Sequence, residues 1–220
     1  MTVEGGIMPV ADDTHRVAAF TGHGVYENVN PMIARLYAGE NAVLDIGCGS
    51  GALGAWIKRG NKSAVVHGID ISPEAGRAAA KQLDAFCCVD LDLLPLPETG
   101  LKYDLIILGD ILEHLKRPDL FLISINDHLS PGGSVIVSVP NVANYSIRLR
   151  LLFGEFRYTE TGIMDRTHLR FFTWGSFSEL ISHCGFSVEK RTYISRFSGI
   201  LLRCFFPLLA VQFIVKLKRR

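Results

Sequence analysis

Four aspartates fall at or just past the ends of four apolar segments: Asp45, Asp70, Asp90 and Asp110. Glycines at 47, 49 and 51 interrupt the chain directly after the first of them. A turn so rich in glycine lets the backbone lie flat against a ligand, because glycine has no Cβ and tolerates φ > 0. Carboxylates at its margins suit hydroxyls, amines and cationic groups. A second reactive set follows at i, i+3 and i+4, namely Asp110, Glu113 and His114. On a helix these would share one face. A histidine there can act as a general base, because imidazole titrates near neutrality. The same three side chains are also of the types that bind a divalent cation, and a helix-capping role is the third reading. Further on, Asp165 precedes His168 by three residues. That pair reads either as a base with its orienting carboxylate or as a hydrogen-bonded corner.

Elements of the right kind surround these residues. Ala42 to Ile46 reads as a strand, and apolar positions resume after the glycines toward Trp56 and Ile57, which marks a helix start. The open N–H groups of such a helix face whatever lies at the turn. Strands are expected at Ala64–Ile69, Cys87–Asp92, Tyr103–Gly109, Ser134–Val139, Phe186–Ile194 and Leu208–Leu217. Helices are expected over 28–38, Pro73–Asp84 behind an N-cap at Ser72, Ile111–Leu115, Leu120–Leu129, Ser146–Phe153 and Gly175–Cys184. Alternating strands and helices imply a mostly parallel sheet covered on both faces. Ligands of such sheets bind beyond the carboxyl ends of the strands, where the four aspartates fall.

The glycine turn also satisfies the dinucleotide fingerprint G-x-G-x-x-G/A. Asp70 lies nineteen residues past Gly51, where nucleoside-binding folds place an acid for ribose hydroxyls. Asp45 favours a different ligand. It would repel a pyrophosphate but attract a cationic sulfonium amino acid. No Tyr-x-x-x-Lys or comparable hydride site is present, which argues against a nicotinamide oxidoreductase.

The order of these motifs resembles the class I S-adenosylmethionine-dependent methyltransferases of the small-molecule and glycan-associated kind (types 11, 12 and 23). Asp45-Ile46-Gly47-Cys48-Gly49-Ser50-Gly51 is similar to their first motif, and Leu129-Ser130-Pro131-Gly132-Gly133 to the turn before their fifth strand. The resemblance implies a Rossmann-like α/β fold: seven strands, mostly parallel, one antiparallel C-terminal strand, helices on both faces and a cap inserted after the fifth strand. Residues 25–217 would form a single methyltransferase domain behind a flexible segment, 1–24, with 141–172 as the cap. S-adenosylmethionine, leaving as S-adenosylhomocysteine, would lie against Asp45, Gly47, Cys48, Gly49, Gly51, Leu53, Asp70, Ile71, Asp90, Leu91, Gly109 and Asp110. Asp92 competes with Asp90 for the adenine. Val139-Pro140-Asn141 through Phe153-Gly154 is similar to the MetW proteins of methionine biosynthesis. The Asp110-x-x-Glu113-His114 cluster resembles that of ubiquinone-biosynthesis O-methyltransferases, with a first acid one methylene shorter. No metal is expected in it.

Methyl transfer from a sulfonium is an in-line displacement, so the protein must align the acceptor and remove its proton. His114, His168 and Glu113 are the candidates for that work. The cap is long, aromatic and rich in His and Arg, and insertions of that length are usually functional. Asn141, Tyr158, Asp165 and Arg166 are its candidate acceptor contacts. The expected reaction methylates a hydroxyl of a small molecule, sugar or lipid-linked intermediate. An N-methyltransferase and a non-catalytic cofactor-binding protein are the alternatives.

Composition narrows the partners. The formal charge is +1 over 220 residues, which supplies no field for steering a nucleic acid. Five cysteines (48, 87, 88, 184, 204) show no C-x-x-C spacing and read as reduced thiols of a cytoplasmic protein. The first 16 residues lack the apolar core of a signal peptide. The apolar run from Ile200 to Val215 is broken by Arg203, Pro207 and Gln212 and is too short to span a bilayer. It reads as a buried last strand, with a weak peripheral membrane contact through Phe205-Phe206 as the alternative.

Overall fold

The computed structural model describes residues 29–197 and 205–220. The expected flexible segment 1–24, the first residues of the 28–38 helix and domain, and Cys204 lie outside that range. The strands are β1 (Ala42–Ile46), β2 (Val65–Asp70), β3 (Ala85–Cys88), β4 (Tyr103–Gly109), β5 (Leu129–Pro140), β6 (Phe186–Ser195) and β7 (Ala210–Arg219). The helices are α1 (Pro31–Leu36), α2 (Ala52–Gly60), α3 (Pro73–Ala79), α4 (Pro118–Ser124), α5 (Tyr145–Leu152) and α6 (Trp174–His183), with a 3₁₀ turn at Ile125–His128.

The sheet order is β3-β2-β1-β4-β5-β7-β6. All pairings are parallel except those of β7, which runs antiparallel to both β5 and β6. Strand order reverses between β1 and β4, and such a switch point opens a crevice at the carboxyl ends. Alternation of side chains builds two cores. Leu44, Ile46, Ile106, Leu108, Val135 and Val137 pack with Leu122 of α4 and Phe177 and Ile181 of α6. Val43, Leu105, Ile107 and Ile136 pack on the other face with Ile33, Ile57 and Ala79 from α1, α2 and α3. Lys216 of β7 is buried, and it is held by Glu40 and the Leu36 carbonyl.

Several elements depart from expectation. The Ala64–Ile69 strand is displaced by one residue, and α1 and α3 are shorter than their sequence patterns. Ser72 does cap α3, accepting from the Ala75 N–H at 3.2 Å. β3 ends at Cys88, so Asp90 sits in the loop beyond it. The Leu120–Leu129 helix is instead α4, starting at Pro118, followed by the 3₁₀ turn. Leu129 to Gly133 is absorbed into β5 as a bulge, where the pairing jumps from Tyr103–Leu129 to Leu105–Ser134. Residues 205–209 are helical, so the last strand begins at Ala210, two residues after the expected start. Ile111–Leu115 is a turn and not a helix. Among the described residues no helix is long and apolar enough to cross a membrane, and Cys48, Cys87, Cys88 and Cys184 are free.

Candidate active site

The glycine turn leaves β1 at the switch point with Gly47, Gly49 and Gly51 at φ 74°, 53° and 84°. These values are readily available only to glycine. Gly47 and Cys48 donate their N–H groups to the Ile69 carbonyl at 2.7 and 3.1 Å. Gly49 donates to Asp70 Oδ2 at 2.8 Å, and Ser72 N–H to Asp70 Oδ1 at 2.9 Å. Asp70 thus ties the turn to the start of α3, and each carboxylate oxygen retains acceptor capacity for a hydroxyl. Gly51 is the N-cap of α2, and Leu53 lies in its first turn.

Asp45 is buried beneath the turn, and burial with the nearby Asp70 charge pushes its pKa up to about 7. Cys48 is buried too. Its thiol lies over Gly68, and burial beside Asp45 and Asp70 raises its pKa, so the residue serves the turn through its backbone. Ile71 is 64% exposed beside the turn, an apolar surface open to a planar ligand. Asp90 Oδ1 accepts from the Asp92 N–H within its own loop, while Asp92 Oδ1 holds the Lys116 N–H, both at 2.9 Å.

Asp110, one residue past β4, has φ 55°, the one positive φ at a non-glycine among the described residues. Three bonds hold it. Its N–H donates to Ser138 Oγ at 3.0 Å, and its Oδ1 accepts from Ser138 Oγ at 2.9 Å and from Gln212 Nε2. Desolvation by the surrounding segments raises its pKa, although the residue stays open to solvent, and those two side-chain hydrogen bonds oppose the rise. The backbone then turns through Glu113 and His114. Glu113 is fully buried, neither carboxylate oxygen has a hydrogen-bond partner, and burial followed by the Asp110 charge pushes its pKa well up.

The cap closes over this turn. It is pinned at its base where Asn141 bridges Phe172 and the Val142 N–H meets the Phe172 carbonyl at 2.9 Å. Its far strap docks on the Glu113 carbonyl, which accepts from Leu169 and Arg170 N–H at 2.8 and 2.9 Å. His168 is thereby set against His114, their ring centroids 4.9 Å apart at 71°. Nδ1 of His114 lies 3.3 Å from the Thr167 carbonyl and Nδ1 of His168 3.1 Å from the Ile163 carbonyl. Burial is the main cause that lowers the His168 pKa. Donor atoms of Glu113, His114 and His168 lie within 4.8 Å of one another.

Residues 44–135, from β1 into β5, match the methyltransferase-domain family. That segment, which holds the glycine turn and the Asp110 turn, is thus similar to a methyltransferase domain. Among curated relatives, the ubiquinone biosynthesis O-methyltransferase of Brucella anthropi is 30% identical over 134 residues, 59% of this chain and 52% of that protein. Trans-aconitate 2-methyltransferase of Mycobacterium tuberculosis is 32% identical over 99 residues, 44% of this chain and 36% of that protein. The chain therefore spans about half the length of the first relative and about a third of the second. An S-adenosylmethionine-dependent methyltransferase from Mesorhizobium loti shares the fold with a TM-score of 0.60 at 19% identity, over 86% of this chain and 96% of that one. The plantazolicin methyltransferase in complex with S-adenosylhomocysteine gives 0.59 at 22% identity, over 82% and 77%.

Within this fold the expected acceptor residues separate. Asn141 is fully buried, and its side chain is consumed by the Pro207 and Ala210 carbonyls and the Ala143 N–H, so it fastens the base of the cap. Asp165 does not orient His168 through a hydrogen bond. Its Oδ1 accepts from the Thr167 N–H and hydroxyl at 2.8 and 2.7 Å. Arg166 pairs with Glu160 on the surface. Tyr158 packs edge-on against Phe156, 5.5 Å between centroids, and Phe171 joins that pair to His168. Phe206 packs among Trp174, Tyr193 and Phe213 under the Arg191 guanidinium, leaving Phe205 alone exposed from the expected membrane pair. Ser138 and Gln212 escaped the sequence reading because they lie 28 and 102 residues from the Asp110 they hold. A cavity of about 310 Å³ lies at the opposite end of the sheet, beside Asp104, Ser130 and Lys216, away from this constellation.

Proposed function

We propose that the chain transfers a methyl group from S-adenosylmethionine to a hydroxyl of a small molecule, sugar or lipid-linked intermediate. One observation carries the reading: Glu113, His114 and His168 converge beside Asp110 at the switch point, with the glycine turn on one side and the cap on the other. The turn, Asp45, Asp70, Ile71, Asp90 and Leu91 would hold the cofactor. The trio then meets the acceptor, and the hydroxyl gives up its proton there. An amine acceptor attacks through a lone pair and has less need of such a cluster. A lipid-linked acceptor is further supported by exposed apolar residues of α5 and the segment after it: Leu149, Leu152, Phe153 and Phe156, the middle pair at 77% and 79% exposed, with Arg148, Arg150 and Arg157 next to them in the chain. Apolar side chains interleaved with arginine suit an apolar chain bearing an anionic head. The four free cysteines support a cytoplasmic setting.

Calorimetry tests the cofactor. S-adenosylmethionine or its demethylated product should bind with micromolar affinity and NADH should not compete. Asp70→Ala should weaken binding by about 1–3 kcal/mol, because ribose hydroxyls lose a charged acceptor. Tight NADH binding would sink the assignment.

Proton linkage gives a second expected result. Burial, with the nearby Asp70 charge, pushes the pKa of Asp45 up to about 7 from its ordinary 3.8. The carboxyl is therefore protonated at acid pH, and its contribution to stability is present below 3.8 and is lost as pH rises toward 7. The cofactor's cationic amino group favours the ionised carboxylate. Binding below pH 7 should release a proton and tighten as pH rises to that value. Titration in two buffers of different ionisation enthalpy measures the release, and identical heats would show that Asp45 is not the partner.

A further inference from the structure

We propose that Glu113, His114 and His168 hold a divalent transition-metal ion, and that this ion fastens the cap to the switch point. The inference rests on the reading of this trio as the acceptor-facing end of a methyltransferase site. In the sequence, Asp110, Glu113 and His114 were one possible cation-binding set, with no metal expected in it. In the fold Asp110 is occupied by Ser138 and Gln212, and His168 from the cap takes the third place.

The decisive observation is the Glu113 carboxylate. It is fully buried, and neither oxygen has a hydrogen-bond partner. An unpartnered buried carboxylate is among the costliest groups a fold can carry. A cation between the carboxylate and the two imidazoles satisfies it. The histidines are arranged as ligands usually are: the Nδ1 of each is held at a backbone carbonyl, Thr167 for His114 and Ile163 for His168. Such a bond fixes the ring and its tautomer and leaves Nε2 as the free donor.

Two imidazoles and one carboxylate suit Zn²⁺, Co²⁺ or Fe²⁺ better than Mg²⁺ or Ca²⁺, which prefer all-oxygen shells. The donor atoms lie within 4.8 Å of one another. Bonds of about 2.1 Å would draw them closer by small side-chain rotations. Three protein ligands leave a position open, and the acceptor hydroxyl is the group placed to fill it. Because His168 belongs to the cap and Glu113 to the turn after β4, the ion would join segments more than fifty residues apart in sequence.

The test uses the full chain without an affinity tag, dialysed against chelator and titrated with Zn²⁺ and with Co²⁺. Expected are one ion per chain, visible Co²⁺ absorption bands, and a rise in melting temperature on binding. Glu113→Gln and His168→Ala should each weaken ion binding by a hundredfold or more while S-adenosylmethionine affinity stays unchanged. Arg166→Ala, on the cap surface, should bind the ion as the parent does. Absence of stoichiometric binding by the parent, or undiminished binding by both ligand variants, overturns the proposal. Loss of cofactor binding by the parent would instead refute the methyltransferase reading, so the two failures are distinguishable.

Discussion

Gly47→Val should abolish measurable cofactor binding while the domain still folds. Gly47 has φ 74°, and a Cβ there would stand 2.3 Å from Ile111 Cδ1. The left-handed conformation costs an ordinary residue about 1–2 kcal/mol, and a β-branched one more. The backbone cannot escape by a small rotation, because the Gly47 N–H is fixed to the Ile69 carbonyl at 2.7 Å. Either the turn opens or Ile111 moves, and Ile111 leads directly into the turn that carries Glu113. The expected loss is a hundredfold or more in affinity, about 3 kcal/mol. Gly60→Ala is the control, since its Cβ meets nothing within 4 Å and its φ is not positive. Wild-type affinity in Gly47→Val would show that the ligand does not lie on this turn.

That turn was legible from residue types alone because its constraint is local. Glycine is needed at 47, 49 and 51 for φ, and an acid at 70 is needed within reach of the Gly49 N–H. Strand β4 was equally legible, since a largely apolar run in a covered parallel strand leaves little competition. Its alternation sends Ile106 and Leu108 to one core and Leu105 and Ile107 to the other.

The acceptor side was less legible, for physical reasons. Ile111 to Leu115 is too short for periodicity to separate a helix from a turn. Asp110 in the left-handed region blocks a helix that would begin there. Its conformation depends on Ser138 and Gln212, which arrive from β5 and β7. The meeting of His114 with His168 depends on the cap strap docking at the Glu113 carbonyl, a backbone contact with no sequence signature. Asn141 opens the cap segment, and its residue type does not show what its side chain will meet. The return of residues 207–210 beneath the cap consumed it.

His168→Ala should lower turnover by about 10²–10⁴-fold, the range for losing a group on which removal of the acceptor's proton depends. Cofactor affinity should change by less than about twofold, because a residue met only by the acceptor contributes nothing to the binary complex. The structure separates these outcomes. The turn that would hold the cofactor is closed by Ile69 and Asp70, and no bond from His168 reaches it. The histidine does hold the cap, through Ile163 and through ring contact with His114 and Phe171. Some thermal stability will therefore be lost, about 1 kcal/mol for the hydrogen bond. His168→Gln distinguishes holding from chemistry. Its amide can donate to the Ile163 carbonyl, so it should recover melting temperature without recovering turnover. Recovery of both would make His168 a structural corner, and turnover unaffected in His168→Ala would leave His114 as the only imidazole at the acceptor.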